Sequence, residues 1–231
     1  MKLLAFNAYY VPEVLGSIRL SEELYSDFAR NGIKVELYVP IPTRGINSET
    51  RKLYKTKKLE TTENGNLVIH RVWLPVERKG LVLRALRYLL QNIVFIYKSL
   101  FVKADVIFVR SAPPTQGAMA AIIKKIKHIP FVYNLQDIFP DSIVSTGLIR
   151  RTSLVYRLGR ILENFTYRHA DNIIVISDDM KRNIMKKGVP EYKISVISNW
   201  VDTKNVCHIH RDENHLFDKF NISRDKFTVV Y

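Results

Sequence analysis

The stretch FVYNLQDIFPDS, residues 131–142, decides the fold class of this chain. Its first five residues form a largely apolar run that is typical of a strand buried inside a sheet. Asp137 follows this strand, and the stiff pair Phe139 and Pro140 comes directly afterwards. In an open parallel sheet, ligands bind beyond the carboxyl ends of the strands. The position of Asp137 after the predicted strand is enough to make it a candidate functional residue.

Strands and helices alternate on both sides of this stretch. Apolar runs predict further strands at residues 2–8, 35–39, 67–74, 106–110, 172–177 and 193–198. Apolar residues at helical spacing predict helices near residues 20–28, 81–103, 115–127 and 153–169, and one more that Ser177 caps. Short links between strand, helix and strand favour right-handed parallel crossovers. The pattern predicts an α/β fold, a Rossmann-like parallel sheet flanked by helices.

Two segments depart from this alternation. Residues 43–66 are polar and basic, which predicts either a mobile, solvated loop or a contact with a phosphate or lipid headgroup. Residues 203–225 have weak periodicity and are predicted to be a linker with one short helix, and residues 227–231, FTVVY, form a predicted strand. We therefore predict one domain over residues 1–206, with a linker and the first strand of another domain over residues 207–231.

Charge and composition limit the class of partner. The 231 residues carry a formal charge of +14 at pH 7, which favours nucleic acid, anionic lipid or a phosphorylated substrate. Nucleic acid is the remote alternative, because the basic residues are spread over loops and an apolar helix and no nucleic-acid-binding motif is present. The single cysteine, Cys207, excludes an internal disulfide. A nicotinamide-dependent dehydrogenase is disfavoured, since the first strand–helix turn lacks the G-x-G-x-x-G pattern.

Residues 81–103 form an unusually apolar predicted helix that contains no acidic residue. Arg84, Arg87 and Lys98 fall near one face, and aliphatic and aromatic residues fill most of the rest. Such a helix can lie in a membrane interface, with its basic side chains reaching the headgroups. It can equally cover the sheet as a core helix with a solvated stripe. The sequence leaves both alternatives open.

Four segments, in a fixed order over nearly the whole chain, resemble one enzyme family. They are YYVPEVLGSIRLSEE at residues 9–23, RSAPPTQG at 110–117, LQDIFPDS at 135–142, and ENFTYRHADNIIVIS at 163–177 with ISNWVD at 197–202. The pattern resembles glycosyltransferase family 4, retaining enzymes of the GT-B fold, and within it the subgroup that assembles bacterial capsule and O-antigen. The resemblance covers only the N-terminal half of such an enzyme, so the C-terminal, nucleotide-binding domain is expected to be missing.

The resemblance implies roles for residues on the predicted rim of the sheet. Gly16 would let backbone amides approach the donor phosphates at the start of the first helix, or it would only form a turn. Asp137, the predicted catalytic residue, would accept a hydrogen bond from the acceptor hydroxyl or from the donor sugar, or it would have a structural role. Ser111 lies on the exit of the neighbouring strand. Arg110 would meet a phosphate or pair with Asp137.

Asn199 and Asp202 resemble the family's turn at the domain junction, where they would lie near the donor or act as a hinge. The resemblance implies a nucleotide sugar as donor substrate and no cofactor. No metal site is expected, because His208, His210 and His215 lack partners at a zinc-binding spacing.

The implied acceptor is a polyprenyl-diphosphate-linked lipid or a growing saccharide. The implied location is the cytoplasmic face of the inner membrane, with the anionic membrane surface as a partner. Alone, the chain is expected to be inactive. The alternative is a non-catalytic half that binds the acceptor or the membrane and needs a separate nucleotide-binding chain.

Overall fold

The computed structural model describes residues 1–14, 16–77, 80–203 and 206–229, without the side chain of residue 81. Its strands and helices alternate over most of the chain, as the sequence predicts. In order they are β1 (Lys2–Phe6), α1 (Ile18–Arg30), β2 (Lys34–Pro40), α2 (Ser48–Thr56), β3 (Leu59–Thr62), β4 (Leu67–Val72), α3 (Leu81–Ser99), β5 (Val106–Arg110), α4 (Thr115–Lys127), β6 (Phe131–Leu135), α5 (Asp141–Ser145), α6 (Leu154–His169), β7 (Asn172–Val175), α7 (Asp178–Lys186), β8 (Ile194–Val196) and α8 (Leu216–Lys219). The exceptions to the alternation are β4, which follows β3, and α6, which follows α5.

One sheet holds the strands in the order β3-β4-β2-β1-β5-β6-β7-β8. Strand β3 is antiparallel to β4, and the other neighbouring pairs among the described strands are parallel. The α/β fold class, a Rossmann-like parallel sheet flanked by helices, is therefore confirmed. The chain winds outward from β1 through β2 to β4 and then returns to place β5 on the other side of β1. Open α/β sheets bind ligands at such a switch point.

The core lies on both faces of the sheet, because alternate residues of a strand point to opposite sides. Leu3 and Ala5 of β1 belong to one apolar cluster, with Tyr25 of α1. Leu4 and Phe6 belong to the other, which includes buried residues of α3, α4 and α6. Helix α1 thus covers one face, while α3, α4 and α6 cover the other.

Local sequence signals account for several helix and strand ends. The side chain of Ser177 accepts a hydrogen bond from the backbone N–H of Met180, which confirms Ser177 as the cap of α7. Gly32 follows α1 with a φ of +81°, a left-handed geometry that favours glycine. The bounds of β5, α4 and β6 agree with the prediction. These elements have strong periodicity and clear turn residues on both sides.

The prediction of a solvated loop over residues 43–66 is wrong. This segment contains α2, β3 and a short 3-10 turn, Glu63–Gly65. Helix α2 is capped by Asn47, whose side chain accepts from the N–H of Thr50 at 2.8 Å. Strand β3 exists because it pairs with β4, and Glu60 holds the buried Arg71 of that strand at 2.8 Å. Its pattern is too polar to predict a strand without that partner.

Two compact units make up the structure, Met1–Ser198 and Asn199–Tyr231. The division falls before the predicted boundary at residues 206 and 207. The second unit contains the short α8 and a 3-10 turn, Arg211–Glu213, within the predicted linker. Of the strand predicted at 227–231, residues 227–229 are not in a strand, and residues 230 and 231 lie outside the described part. A strand requires a neighbour to pair its backbone groups, and the described residues of this unit offer none.

Candidate functional site

The candidate site is built from the loops that leave β1, β5 and β6. These three strands are consecutive in the sheet and run parallel, so their carboxyl ends share one edge. Gly16 lies in the loop after β1, Ser111 directly follows β5, and Asp137 lies in the loop after β6. The structure therefore brings these predicted residues to a common rim, beside the switch point of the sheet.

Ser111 fixes the loop that carries Asp137. Its buried Oγ accepts the backbone N–H of Gln136 at 2.9 Å and that of Asp137 at 3.3 Å. Its own N–H donates to the carbonyl of Asn134 at 3.0 Å, so the exits of β5 and β6 are tied together. The carboxylate of Asp137 is exposed, and within the described residues it makes no hydrogen bond or ion pair. It is held in place through its backbone, and its oxygens are open to a ligand.

Arg110 is buried at the last position of β5. Its guanidinium donates to the carbonyl of Ser17 at 3.0 Å and makes a short hydrogen bond to the Oγ of Ser21. The predicted pairing of Arg110 with Asp137 is therefore wrong, because the guanidinium points to the first turn of α1. Burial lowers the pKa of Arg110 below its usual range. The structure thus places a desolvated cation, without a carboxylate partner among the described residues, beneath the start of α1.

A small cavity of about 30 Å³ adjoins this arginine. It is lined by residues from the exits of β1 and β5 and from the first turns of α1, among them Asn7, Ser17 and Arg110. The hydroxyl of Tyr25 donates to the Oδ1 atom of Asn7 at 2.8 Å, which holds that amide at the cavity. The lining combines a positive charge with neutral oxygens, and the volume admits only a small polar group.

Gly16 is exposed just before α1. A Cβ atom at this position would meet nothing within 4 Å, and its φ does not lie in the left-handed region. Neither internal packing nor backbone strain therefore requires a glycine here. The predicted phosphate contact and a simple turn therefore both stay open for Gly16.

Gln116 and Glu13 support the rim, and the sequence analysis missed both. With its amide oriented to suit its neighbours, the fully buried Gln116 donates to the carbonyl of Arg110 at 3.1 Å and accepts from the N–H of Ala8 at 3.1 Å. Glu13 is also buried and accepts the N–H groups of Thr43 at 2.7 Å and Arg44 at 2.9 Å. A lone polar residue at the mouth of a helix or in a loop gives no sequence signal for such bonds.

A second cluster that the sequence analysis missed lies on the same rim, after β1, β2 and β4. Arg44 binds the carboxylate of Glu77 through two nitrogens, with its Nε at 2.8 Å. The Tyr9 hydroxyl donates to the same carboxylate at 2.8 Å and lies 2.7 Å from the hydroxyl of Tyr88. Burial raises the pKa of Glu77, but the hydrogen bonds from Arg44 and Tyr9 outweigh it and hold the pKa below its usual range.

The three residues predicted to contact a membrane differ in their surroundings. Arg87 is only 5% exposed and donates to the carbonyl of Pro75 at 3.0 Å, so it does not face outward as predicted. The cause is the packing of α3, which turns this face toward the protein. Arg84 lies 2.9 Å from Glu77 and extends the rim cluster, whereas Lys98 is exposed.

Close packing behind the Asp137 loop fixes its far end. A Cβ atom on Gly159 of α6 would lie 2.8 Å from the ring of Phe139 and 3.0 Å from Pro140. The loop then enters α5, where Asp141 accepts from the hydroxyl of Tyr156 at 3.1 Å and pairs with Lys187 at 2.5 Å. The loop is therefore anchored at both ends, with Asp137 at its exposed middle.

Asn199 and Asp202 belong to the second unit. Asn199 is exposed, and the carbonyl of the half-buried Asp202 accepts from the N–H of Val206 at 2.8 Å. Over the described residues, no cluster of three or more histidine, cysteine or acidic side chains has the arrangement of a metal site. Among the described helices, none combines the length and the apolar character needed to span a bilayer.

Comparisons with known proteins connect this chain to one family. A family model described as Glycosyltransferase Family 4 matches residues 16–205. Over 83 residues the chain is 34% identical to the probable glycosyltransferase WbjE from Pseudomonas aeruginosa, a match that covers 36% of this chain and 21% of that protein.

Two solved structures show the same fold. HepE from Anabaena, in complex with UDP and glucose, has a TM-score of 0.56 and 17% identity, with 96% of this chain and 50% of that chain covered. Sucrose-phosphate synthase from Thermosynechococcus elongatus has a TM-score of 0.61 and 10% identity, with 96% and 53% covered. The chain therefore spans about half the length of these structures.

Proposed function

Because this chain belongs to glycosyltransferase family 4, we propose that it is the acceptor-side part of a retaining GT-B enzyme that transfers a sugar from a nucleotide sugar. The acceptor is a polyprenyl-diphosphate-linked lipid or a growing polysaccharide, as in capsule or O-antigen assembly. The enzyme works at the cytoplasmic face of the inner membrane. One observation carries the proposal: the exposed carboxylate of Asp137, which has no partner among the described residues, lies on the same rim as Gly16 and Arg110.

The reaction breaks the bond between the anomeric carbon of the donor sugar and the nucleotide diphosphate, which leaves with the electron pair. The acceptor oxygen forms the new bond to that carbon and loses its proton. Negative charge develops on the leaving diphosphate, so fixed donors near it lower the barrier. In this proposal the backbone around Gly16 and the guanidinium of Arg110 supply positive potential on one side of the cleft.

Asp137 orients the reactants. Its carboxylate accepts a hydrogen bond from the acceptor hydroxyl or from a hydroxyl of the donor sugar. Such a bond is useful only if the carboxylate is fixed, because a misplaced reactant loses most of the benefit of proximity. The bonds from the Gln136 and Asp137 backbone to Ser111 support this role, since they hold the loop without occupying the carboxylate.

A sugar-transfer assay tests the proposal. The protein, at the length at which the cell produces it, is incubated with labelled nucleotide sugars and polyprenyl-diphosphate-linked saccharides. UDP-glucose is included because a structure of HepE contains it. We expect labelled lipid-linked product, and less of it with Asp137→Asn. Absence of transfer with every donor, from a folded protein that retains its complete reading frame, would count against a transferase.

The alternative is a non-catalytic part that binds acceptor or membrane and works with a separate nucleotide-binding polypeptide. Purification from the native organism distinguishes the two. A second α/β polypeptide that co-purifies and restores transfer supports a split enzyme, whereas transfer by one continuous polypeptide excludes it.

A further inference from the structure

Helix α3 has its apolar side turned outward. Arg87, Gln91 and Phe95 face the protein, with exposures of 5%, 0% and 0%. The ring of Phe95 packs 5.0 Å from that of Phe6 in β1, which fixes this orientation. On the opposite side, Leu86 and Ile93 are 57% and 56% exposed. The helix thus buries polar side chains and presents leucine and isoleucine to the surroundings, the reverse of a solvated surface helix.

Helices α4 and α6 continue this outward apolar surface. Helix α4 packs against both α3 and α6, and all three cover the same face of the sheet. Ile122 and Ile126 of α4 are exposed, as are Leu158 and Ile161 of α6. We call the outward sides of α3, α4 and α6 the three-helix face. Scattered exposed apolar residues are normal, whereas a patch that extends over three neighbouring helices marks an interaction surface.

The exposed charges on these helices are positive. Each of the three contains three lysines or arginines. Their single acid is Glu163, which is buried and paired with Arg160 and Lys187. Lys98, Lys125 and Arg157 are exposed, one on each helix. Apolar side chains among cations, without an exposed acid, are complementary to a surface that is negative outside and apolar beneath.

We propose that the three-helix face docks the protein on an anionic lipid bilayer. Leu86, Ile93 and Leu158 insert among the upper acyl chains, and Lys98, Lys125 and Arg157 contact the phosphate groups. This inference deepens the proposed function, on which it rests for the lipid-linked acceptor. It also replaces the predicted contact through Arg87, which is buried. Because α3 begins at the rim and Arg84 pairs there with Glu77, docking brings the candidate site to the membrane surface.

Vesicle flotation tests the proposal with the protein itself and without a sugar donor. The probe is phosphatidylcholine vesicles with and without phosphatidylglycerol. We expect binding that requires phosphatidylglycerol and weakens with added salt. The double variant Leu86→Glu/Leu158→Glu should lower the partition coefficient about tenfold or more, because it removes two inserted side chains and adds two negative charges.

Leu53→Glu/Leu59→Glu is the matched control. These leucines, on α2 and the edge strand β3, are 58% and 56% exposed, close to the 57% and 56% of Leu86 and Leu158. The control should bind as the wild type does. Circular dichroism verifies that each variant is folded, and Ile93→Glu/Ile161→Glu replaces the first pair if it is not.

Three results would overturn the proposal: no binding by the folded wild type, equal losses in both double variants, or a dimer that Leu86→Glu/Leu158→Glu dissociates without any vesicle binding. The last would assign the face to a second copy of the chain. A failure of transfer to a water-soluble acceptor, with vesicle binding intact, would count against the transferase alone.

Discussion

The Oγ atom of Ser111 accepts the backbone N–H of Asp137 at 3.3 Å, so the exit of β5 sets the position of the loop after β6. This bond leaves the carboxylate of Asp137 exposed. Ser111 therefore holds the loop, and Asp137 presents its carboxylate to the surroundings.

Asp137→Asn should reduce sugar transfer about a hundredfold. The amide keeps the size of the side chain but cannot accept hydrogen bonds with both of its polar atoms. The free energy of unfolding should change by less than about 0.5 kcal/mol, since the carboxylate has no internal partner among the described residues. Transfer rates and urea denaturation measure the two effects. A loss of stability that accounts for the loss of activity would assign Asp137 to structure.

Ser111→Ala should lower the free energy of unfolding by about 1–3 kcal/mol, because the N–H groups of Gln136 and Asp137 both lose their acceptor. Transfer should fall as well, since the Asp137 loop loosens. Ser145→Ala is the control. Its exposed hydroxyl donates to the carbonyl of Ser142, and its loss should cost less than about 0.5 kcal/mol. Equal stability of the two variants would contradict the anchoring role of Ser111.

Gly16→Ala should leave stability within about 0.5 kcal/mol of the wild type, because the added methyl group points into open space. It should weaken donor use, seen as a higher KM for the nucleotide sugar, if the backbone contacts the donor. Gly117→Ala is the contrasting variant, because Gly117 is closely packed. Its Cβ would lie 2.2 Å from the Thr166 side chain, and we expect a loss of about 1–3 kcal/mol. An unchanged KM for Gly16→Ala would reduce Gly16 to a turn residue.

The Glu77 cluster should make stability depend on pH. The pKa of Glu77 is lower in the folded state than in the unfolded chain, so its contribution is complete above the unfolded pKa of about 4.3. That contribution is lost as the pH falls through the folded pKa. Glu77→Gln should therefore be less stable than the wild type at neutral pH, by about 1–3 kcal/mol. The difference should shrink in strong acid.

Urea denaturation at pH 7 and pH 3 measures this difference. Glu49→Gln, on the exposed first turn of α2, is the control for the loss of one negative charge. It should alter stability by less than about 0.5 kcal/mol at either pH. A gap between wild type and Glu77→Gln that stays constant or widens in acid would show that the carboxylate is not held in its charged form.

Several features followed directly from local pattern. Strands β5 and β6 and helix α4 have the predicted bounds, because long apolar runs and helical periodicity select secondary structure with little help from distant residues. The rim position of Gly16, Ser111 and Asp137 also followed, since residues after parallel strands must meet at one edge. The sequence therefore predicted the fold class and the location of the candidate site.

Contacts between distant segments did not follow from pattern. Strand β3 is polar and forms because β4 is beside it. Arg110 donates to Ser17 instead of pairing with Asp137, and Glu77 gathers Arg44 and Tyr9 from two other loops. Periodicity contains no information on which of several partners within reach a polar side chain selects.

What the sequence by itself determined is the alternation of strand and helix, and with it the edge of the sheet where the candidate site lies. What only the tertiary structure decided is which side of each helix faces the sheet. In α3 it buries Arg87 and Gln91 and leaves Leu86 and Ile93 outside. The physical reason is that an apolar helix with few charges has no unique inner face of its own. The elements against which the helix packs determine which of its sides is buried.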